Sequence, residues 1–262
     1  DNTDGTLLAA NQLQAHAGQT LNNTGTALVA AGGDLDLAAA SLNNNASIQS
    51  VGNLAIEATG TLDNTGGKIA GNGENLSLTA GQLINADGQI LHAGSGTLVL
   101  QADTLDGTGG KIQGNGKLAL TAETATLDRA STSAQQIDIA TQTLSHKGGE
   151  LIQSGDEAGR IEATTKLDNT DGAIVTAGDL AVQAGDLANT RGIVQSNHDL
   201  AIAASGSLDN TDGKLLAAHT LKAQVAQTLN NAGTALIAAG DDLDLAAASL
   251  NNSAALQSGR NL

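Results

Sequence analysis

A phrase of about 21 residues returns down the whole chain, and that period restricts the possible folds more than any single motif. Aligned on the leucine of a Leu-x-Asn-x-x-Gly phrase, anchors fall at Leu21, Leu42, Leu62, Leu83, Leu105, Leu127, Leu144, Leu167, Leu187, Leu208, Leu229 and Leu250. Their spacings are 21, 20, 21, 22, 22, 17, 23, 20, 21, 21 and 21 residues. Fixed periods of roughly 20–50 residues mark arrays in which each unit buries its apolar face by stacking on its neighbour.

Each unit carries three apolar stations. The first is the anchor phrase itself, as in Leu62-Asp63-Asn64. The second follows a Gly-containing turn, at Leu7, Leu28, Ile48, Ile69, Ile90, Ile112, Leu151, Ile174, Ile193, Leu215, Leu236 and Leu256. The third is an alternating pair such as Leu35/Leu37, Leu54/Ile56, Leu76/Leu78 or Leu200/Ile202. Alternation with period two reads as a strand with one face inward. Gly, Asn and Asp clusters between stations supply turns. The Ala tracts 38–40 and 246–248 favour helix, but their place in the repeat assigns them to strands. The pattern predicts an all-β fold: a parallel β-helix of about 12–13 coils with three short strands per coil. At ~4.8 Å per coil this makes a rod roughly 60 Å long. The chirality of parallel crossovers favours the right-handed form.

Composition fits a narrow interior. The chain has no Phe, Tyr, Trp, Met, Pro or Cys, so the large aromatic side chains that fill wide cores are absent. Net charge is −16. An acidic chain without aromatics lacks both the basic groove and the stacking platform of a nucleic-acid site, so no nucleic-acid partner is expected. No Cys means no disulfide framework and no thiolate metal site.

The Asn two residues after the anchor recurs at Asn2, Asn23, Asn44, Asn64, Asn85, Asn169, Asn189, Asn210, Asn231 and Asn252. Stacked coils place these amides one above another, and an amide both donates and accepts, so the column reads as a structural Asn ladder. In three successive coils the slot is filled by Gly107, Arg129 and His146, where the spacing also stumbles. An irregularity or a protruding loop is expected between about 127 and 160. Residues 1–54 return as 209–262 with 39 identities in 54 positions, a block of ten coils duplicated. The organisation expected is a single β-helical segment over 1–262, with irregular coils at about 105–166. Because the chain enters and leaves in mid-phrase, it reads as a piece of a longer array.

The phrases Leu167-Asp168-Asn169-Thr170-Asp171-Gly172-Ala173-Ile174 and Leu208-Asp209-Asn210-Thr211-Asp212-Gly213-Lys214-Leu215 resemble haemagglutinin repeats. Such repeats occur in the filamentous haemagglutinin family, large bacterial exoproteins of two-partner secretion that include adhesins and contact-dependent growth-inhibition toxins. The resemblance covers essentially the whole chain. It implies a right-handed β-helical shaft exported through an outer-membrane transporter and displayed at the bacterial cell surface. Binding to a target-cell receptor or host surface would lie in other parts of the parent chain. The family supplies no catalytic residues, and the coils from Leu105 to Leu144 depart from its pattern.

No catalytic, cofactor or metal site is expected. The five histidines, His16, His92, His146, His198 and His219, sit in unrelated repeat positions without metal-ligand spacing. Asp34/Asp36 and Asp241/Asp242/Asp244 do not keep the glycine-rich calcium-roll frame. The function expected is therefore a non-enzymatic stalk. The competing reading is a β-helical protein that binds or degrades polysaccharide.

Overall fold

A computed structural model describes all residues, 1–262. The chain is a parallel β-solenoid without helix. Its residues cluster into two compact units, Asp1–Thr126 and Leu127–Leu262.

In the first unit, four-residue strands alternate with strands of 9–11 residues. The short ones are Thr6–Ala9, Leu28–Ala31, Ser47–Ser50, Lys68–Gly71, Gln89–His92 and Lys111–Gly114. Each pairs in parallel with its counterpart one coil on, which stacks Leu7, Val29, Ile48, Ile69, Ile90 and Ile112 in one column. The long strands are Leu13–Asn23, Leu35–Asn44, Leu54–Asp63, Leu76–Ile84, Thr97–Asp106 and Lys117–Thr126. They form a second parallel ladder in which Leu35, Leu54, Leu76, Leu98 and Leu118 stack, as do Leu37, Ile56, Leu78, Leu100 and Leu120. These side chains are 0–2 % exposed. Branched aliphatics stacked on their own kind fill a slim interior without aromatics.

The second unit repeats the plan. Thr132, Leu151, Ile174, Val194, Leu215, Ile237 and Leu256 stack along its short strands. Ile161, Val182, Ile202, Ala223 and Leu245 stack along its long ones.

Four expectations need correction. First, a coil has two strands, not three. The third station runs into the next anchor as one continuous strand, which turns its corner at a register shift such as that between Ala58 and Thr61. The burial pattern of Leu54–Asp63 shows two successive exposed residues there, which resets the alternation without ending the ladder. Only one coil separates them, as Leu200–Ala204 and Leu208–Asp209.

Second, the anchor opposite Leu105 is Ala125, not Leu127. Ala125 carries too little apolar surface to stand out in a pattern search, whereas Leu127 two residues on does. With Ala125 restored, the spacings of 22 and 17 become 20 and 19. Third, Leu127 therefore fills the ladder slot assigned to Arg129. The amide of Ala130 donates to Leu127 O just as that of Gly172 donates to Asn169 O. Fourth, the inward residues at three second stations are Val29, Val194 and Ile237, one position after Leu28, Ile193 and Leu236. Two adjacent apolar residues leave the inward one undecided until strand pairing selects it.

No loop protrudes between 127 and 160. The turn after Ser131–Ala134 is the single residue Gln135, and the next such turn spans residues 154–158. Length variation is absorbed in the turns, and the ladders run on.

Candidate functional site

The polar groups that recur most regularly inside the fold belong to the Asn-x-x-Gly turn; a mixed set, Ser50, His92, Gln153, Thr176 and Ser196, is buried at the ends of short strands. In Asp209-Asn210-Thr211-Asp212-Gly213, Asp209 Oδ1 accepts from the Thr211 backbone amide (3.1 Å) and hydroxyl (2.6 Å). Asp168 holds Thr170 in the same way. Burial raises the Asp168 carboxyl, but hydrogen bonds from Thr170 and Lys166 outweigh it and hold the group below its ordinary range. Asp209 is held low likewise, by Thr211 and Asn230 against burial. The next residue but two takes a positive φ, at Asp4, Gly25, Gly66, Asp87, Gly109, Arg129, Gly148, Asp171, Arg191, Asp212 and Gly233. One left-handed residue followed by an i+3 to i hydrogen bond is the pattern of a type II turn, which explains the Gly and Asp preference there. Where Gly follows it serves a different purpose, although Thr26, Ala130 and Thr234 fill the same position in other coils. A Cβ on Gly88 would lie 2.1 Å from the Asn64 carbonyl oxygen, and one on Gly213 would lie 2.0 Å from that of Asn189.

Between these residues stands the asparagine. In the first unit Nδ2 of Asn2, Asn23, Asn44 and Asn64 donates to Oδ1 of Asn23, Asn44, Asn64 and Asn85, at 2.6–2.8 Å. In the second, Asn169, Asn189, Asn210 and Asn231 donate to Asn189, Asn210, Asn231 and Asn252, each at 2.8 Å. The second amide hydrogen reaches a strand carbonyl one coil on, such as Ser47 O from Asn23 or Lys214 O from Asn189. Those carbonyls fix which end of each amide is nitrogen, so both columns have one polarity. The eight interior members are 0–1 % exposed.

The column stops where the slot changes. Asn85 donates only to Gly88 O and Lys111 O. Within the second unit the slot holds Leu127, then His146, whose Nδ1 lies 2.8 Å from Asn169 Oδ1. His146 is fully buried, its Nε2 has no partner, and burial lowers its pKa.

The other histidines form no ligand cluster, but two of them, His198 and His219, share a repeat position one coil apart, against expectation. His16 is exposed, and buried His92 sets Nε2 3.1 Å from Gly73 O. His198 and His219 stack on the surface with ring centroids 5.3 Å apart. The acidic candidates are engaged elsewhere: Asp34 accepts from the Asn53 amide, Asp36 from Gln14, Asp241 pairs with Arg260 and Asp242 with Asn261. No three His, Asp or Glu side chains are placed to hold a metal ion. An open groove of about 680 Å³ runs along the strand corners of the second unit, lined by Ala184, Ala204, Ala226 and Ala247 with Glu162 and Gln183 among its polar residues.

A second column escaped the sequence reading. Asp34, Asn53 and Asn75 each accept the backbone amide of Asn53, Asn75 and Thr97 one coil on, and Asp179 and Asp199 do the same for Asp199 and Thr220. Its signal was present as an Asx immediately before the first leucine of the third station.

The haemagglutinin-repeat family model matches five overlapping stretches, residues 1–66, 30–99, 93–171, 156–212 and 195–262, which together span the chain. The chain belongs to the haemagglutinin-repeat family. No curated protein and no solved structure matches it. The haemagglutinin repeat is a structural, adhesin-type module, and in this chain the full phrase, as at Asn189–Gly192 and Asn210–Gly213, corresponds to one type II turn, one close-approach glycine and one buried amide.

Proposed function

We propose that this chain is a stalk segment of a secreted filamentous exoprotein, displayed at the bacterial surface, that carries an adhesive or toxin-delivery region away from the cell. The observation that supports this reading is the reuse of a single buried amide contact in coil after coil. Such a fold lengthens by repetition, with about 4.8 Å added per coil. Two-partner secretion through an outer-membrane transporter fits a chain free of Cys and Pro, with neither disulfides nor slow prolyl isomerisation to delay threading. Contact with a target cell would then belong to regions that the stalk presents.

The test uses chains with one, two or three copies of the 208-residue block, labelled at both ends. Their end-to-end distance should grow linearly, by roughly 48 Å for each ten-coil block. Growth as the cube root of chain length would end the stalk reading. Cleavage of polygalacturonate by the purified chain would overturn it in favour of a carbohydrate enzyme.

A further inference from the structure

We propose that His146 makes the start of the second unit, residues 127–172, acid-sensitive: protonation of its Nε2, which is buried and has no hydrogen-bond partner, puts a charge into a desolvated slot, and the coil opens. The tautomer follows from the polarity of the amide column. Asn169 Nδ2 is committed to Asn189 Oδ1 and Ile193 O, so Asn169 presents only its oxygen to His146. His146 must therefore carry its proton on Nδ1, 2.8 Å from that oxygen. Nε2 is left as a bare lone pair with no hydrogen-bond partner. The slot one coil before holds Leu127, itself fully buried, which offers neither donor nor acceptor.

The neighbouring charges do not rescue the imidazolium. On the preceding turn, Asp128 favours it, but Asp128 Oδ1 already accepts from Ser145 Oγ (2.7 Å) and the Lys147 amide (2.8 Å). Arg129 on that turn and Lys147 on the histidine's own turn carry the wrong sign. On the following coil, Asp168 Oδ2 is held by Lys166 Nζ at 3.1 Å and Lys147 Nζ at 3.5 Å, and Asp171 by Arg191. Exposed Glu150 contributes its backbone, which also favours the charged ring. Burial outweighs all of these and drives the pKa below the ordinary 6.5. A histidine whose folded pKa is depressed leaves stability intact above the unfolded value. Stability is lost as pH falls below 6.5, until the folded pKa is reached.

Hydrogen exchange of the intact chain at pH 7.5 and 5.5, corrected for the intrinsic rate, tests this. The opening equilibrium of residues 127–172 should rise by up to tenfold per pH unit below 6.5, while residues 187–232 stay flat. His146→Asn replaces the Nδ1 donor to Asn169 by an amide Nδ2 donor and exchanges one unpaired acceptor for another, so it removes only the titration; its exchange should be independent of pH in this range. His146→Gln serves as a second non-titrating variant. An equal pH response in wild type and both variants, or a wild-type response spread evenly over both segments, would overturn the proposal.

Discussion

Asn189 donates its side-chain amide to Asn210 Oδ1 at 2.8 Å across one coil, and Asn210 passes the contact on to Asn231 at the same distance. All three are fully buried. Removing one amide strands an acceptor on one side and a donor on the other. Asn210→Ala should therefore cost about 1–3 kcal/mol, the penalty of unpaired buried polar groups. Urea denaturation followed by circular dichroism measures it; a loss below a few tenths would show that the column contributes little.

The turn glycines separate two physical costs. Gly66 has φ +64° and open space where a Cβ would sit, so Gly66→Ala should cost about 1 kcal/mol from the left-handed backbone alone. Gly66→Asp should cost less, since Asp already fills this position at Asp87 and Asp171. Gly88 is different: its φ is unremarkable, but a Cβ would meet the Asn64 carbonyl oxygen at 2.1 Å. Gly88→Ala should cost about 3 kcal/mol, because neighbouring backbone must move. Equal losses for Gly66→Ala and Gly88→Ala in thermal melts would contradict this division.

Much of this architecture is legible because a solenoid writes its contacts into its period. Leu62, Ile69 and Leu76 announce three inward positions, and pairing places each over its equivalent one coil on. What the pattern hid follows from the limits of side-chain hydrophobicity as a signal. Ala125 is as buried as any leucine in the core, yet its small side chain marks no register, so Leu127 drew the alignment two residues off. The continuous corner in the long strands is a backbone event with no dedicated residue: Thr59-Gly60, Ala102-Asp103 and Thr164-Thr165 all turn it. The column through Asp34, Asn53 and Asn75 was hidden for a related reason. Its acceptors bond backbone amides, so the recurring Asx before each leucine has no side-chain partner in the sequence to reveal its role.

Acid should act on the carboxylates in a window separate from that of His146. Asp168 and Asp209 have pKa values lowered from an ordinary 3.8 because hydrogen bonds from Thr170 and Lys166, and from Thr211 and Asn230, overcome burial. A carboxyl depressed in the folded state contributes stability that is complete above its unfolded value and lost as pH falls through the folded one. In a His146→Asn background the melting temperature should stay level from pH 7 to about 4.5 and fall below pH 4. Adding Asp168→Asn and Asp209→Asn should lower the plateau and flatten the acid limb. An acid limb unchanged in steepness would show that these two turns do not govern it.

Thr132 offers a gain in stability. It occupies the second station, where Leu151 and Ile174 stack behind it, and it is 1 % exposed with no partner for its hydroxyl. A buried hydroxyl without a hydrogen bond carries a desolvation cost of about 1–3 kcal/mol. Thr132→Val keeps the branched shape that suits a strand and replaces the hydroxyl by a methyl that the apolar column accepts. The substitution should stabilise the second unit by about 1 kcal/mol, seen as a higher urea midpoint. Hydrogen exchange should slow most along Ser131–Ala134 and Glu150–Gln153, the paired strands on which the side chain acts. A lower midpoint would mean that the hydroxyl is satisfied, and that Thr132 is there for bonding rather than as a small substitute for leucine.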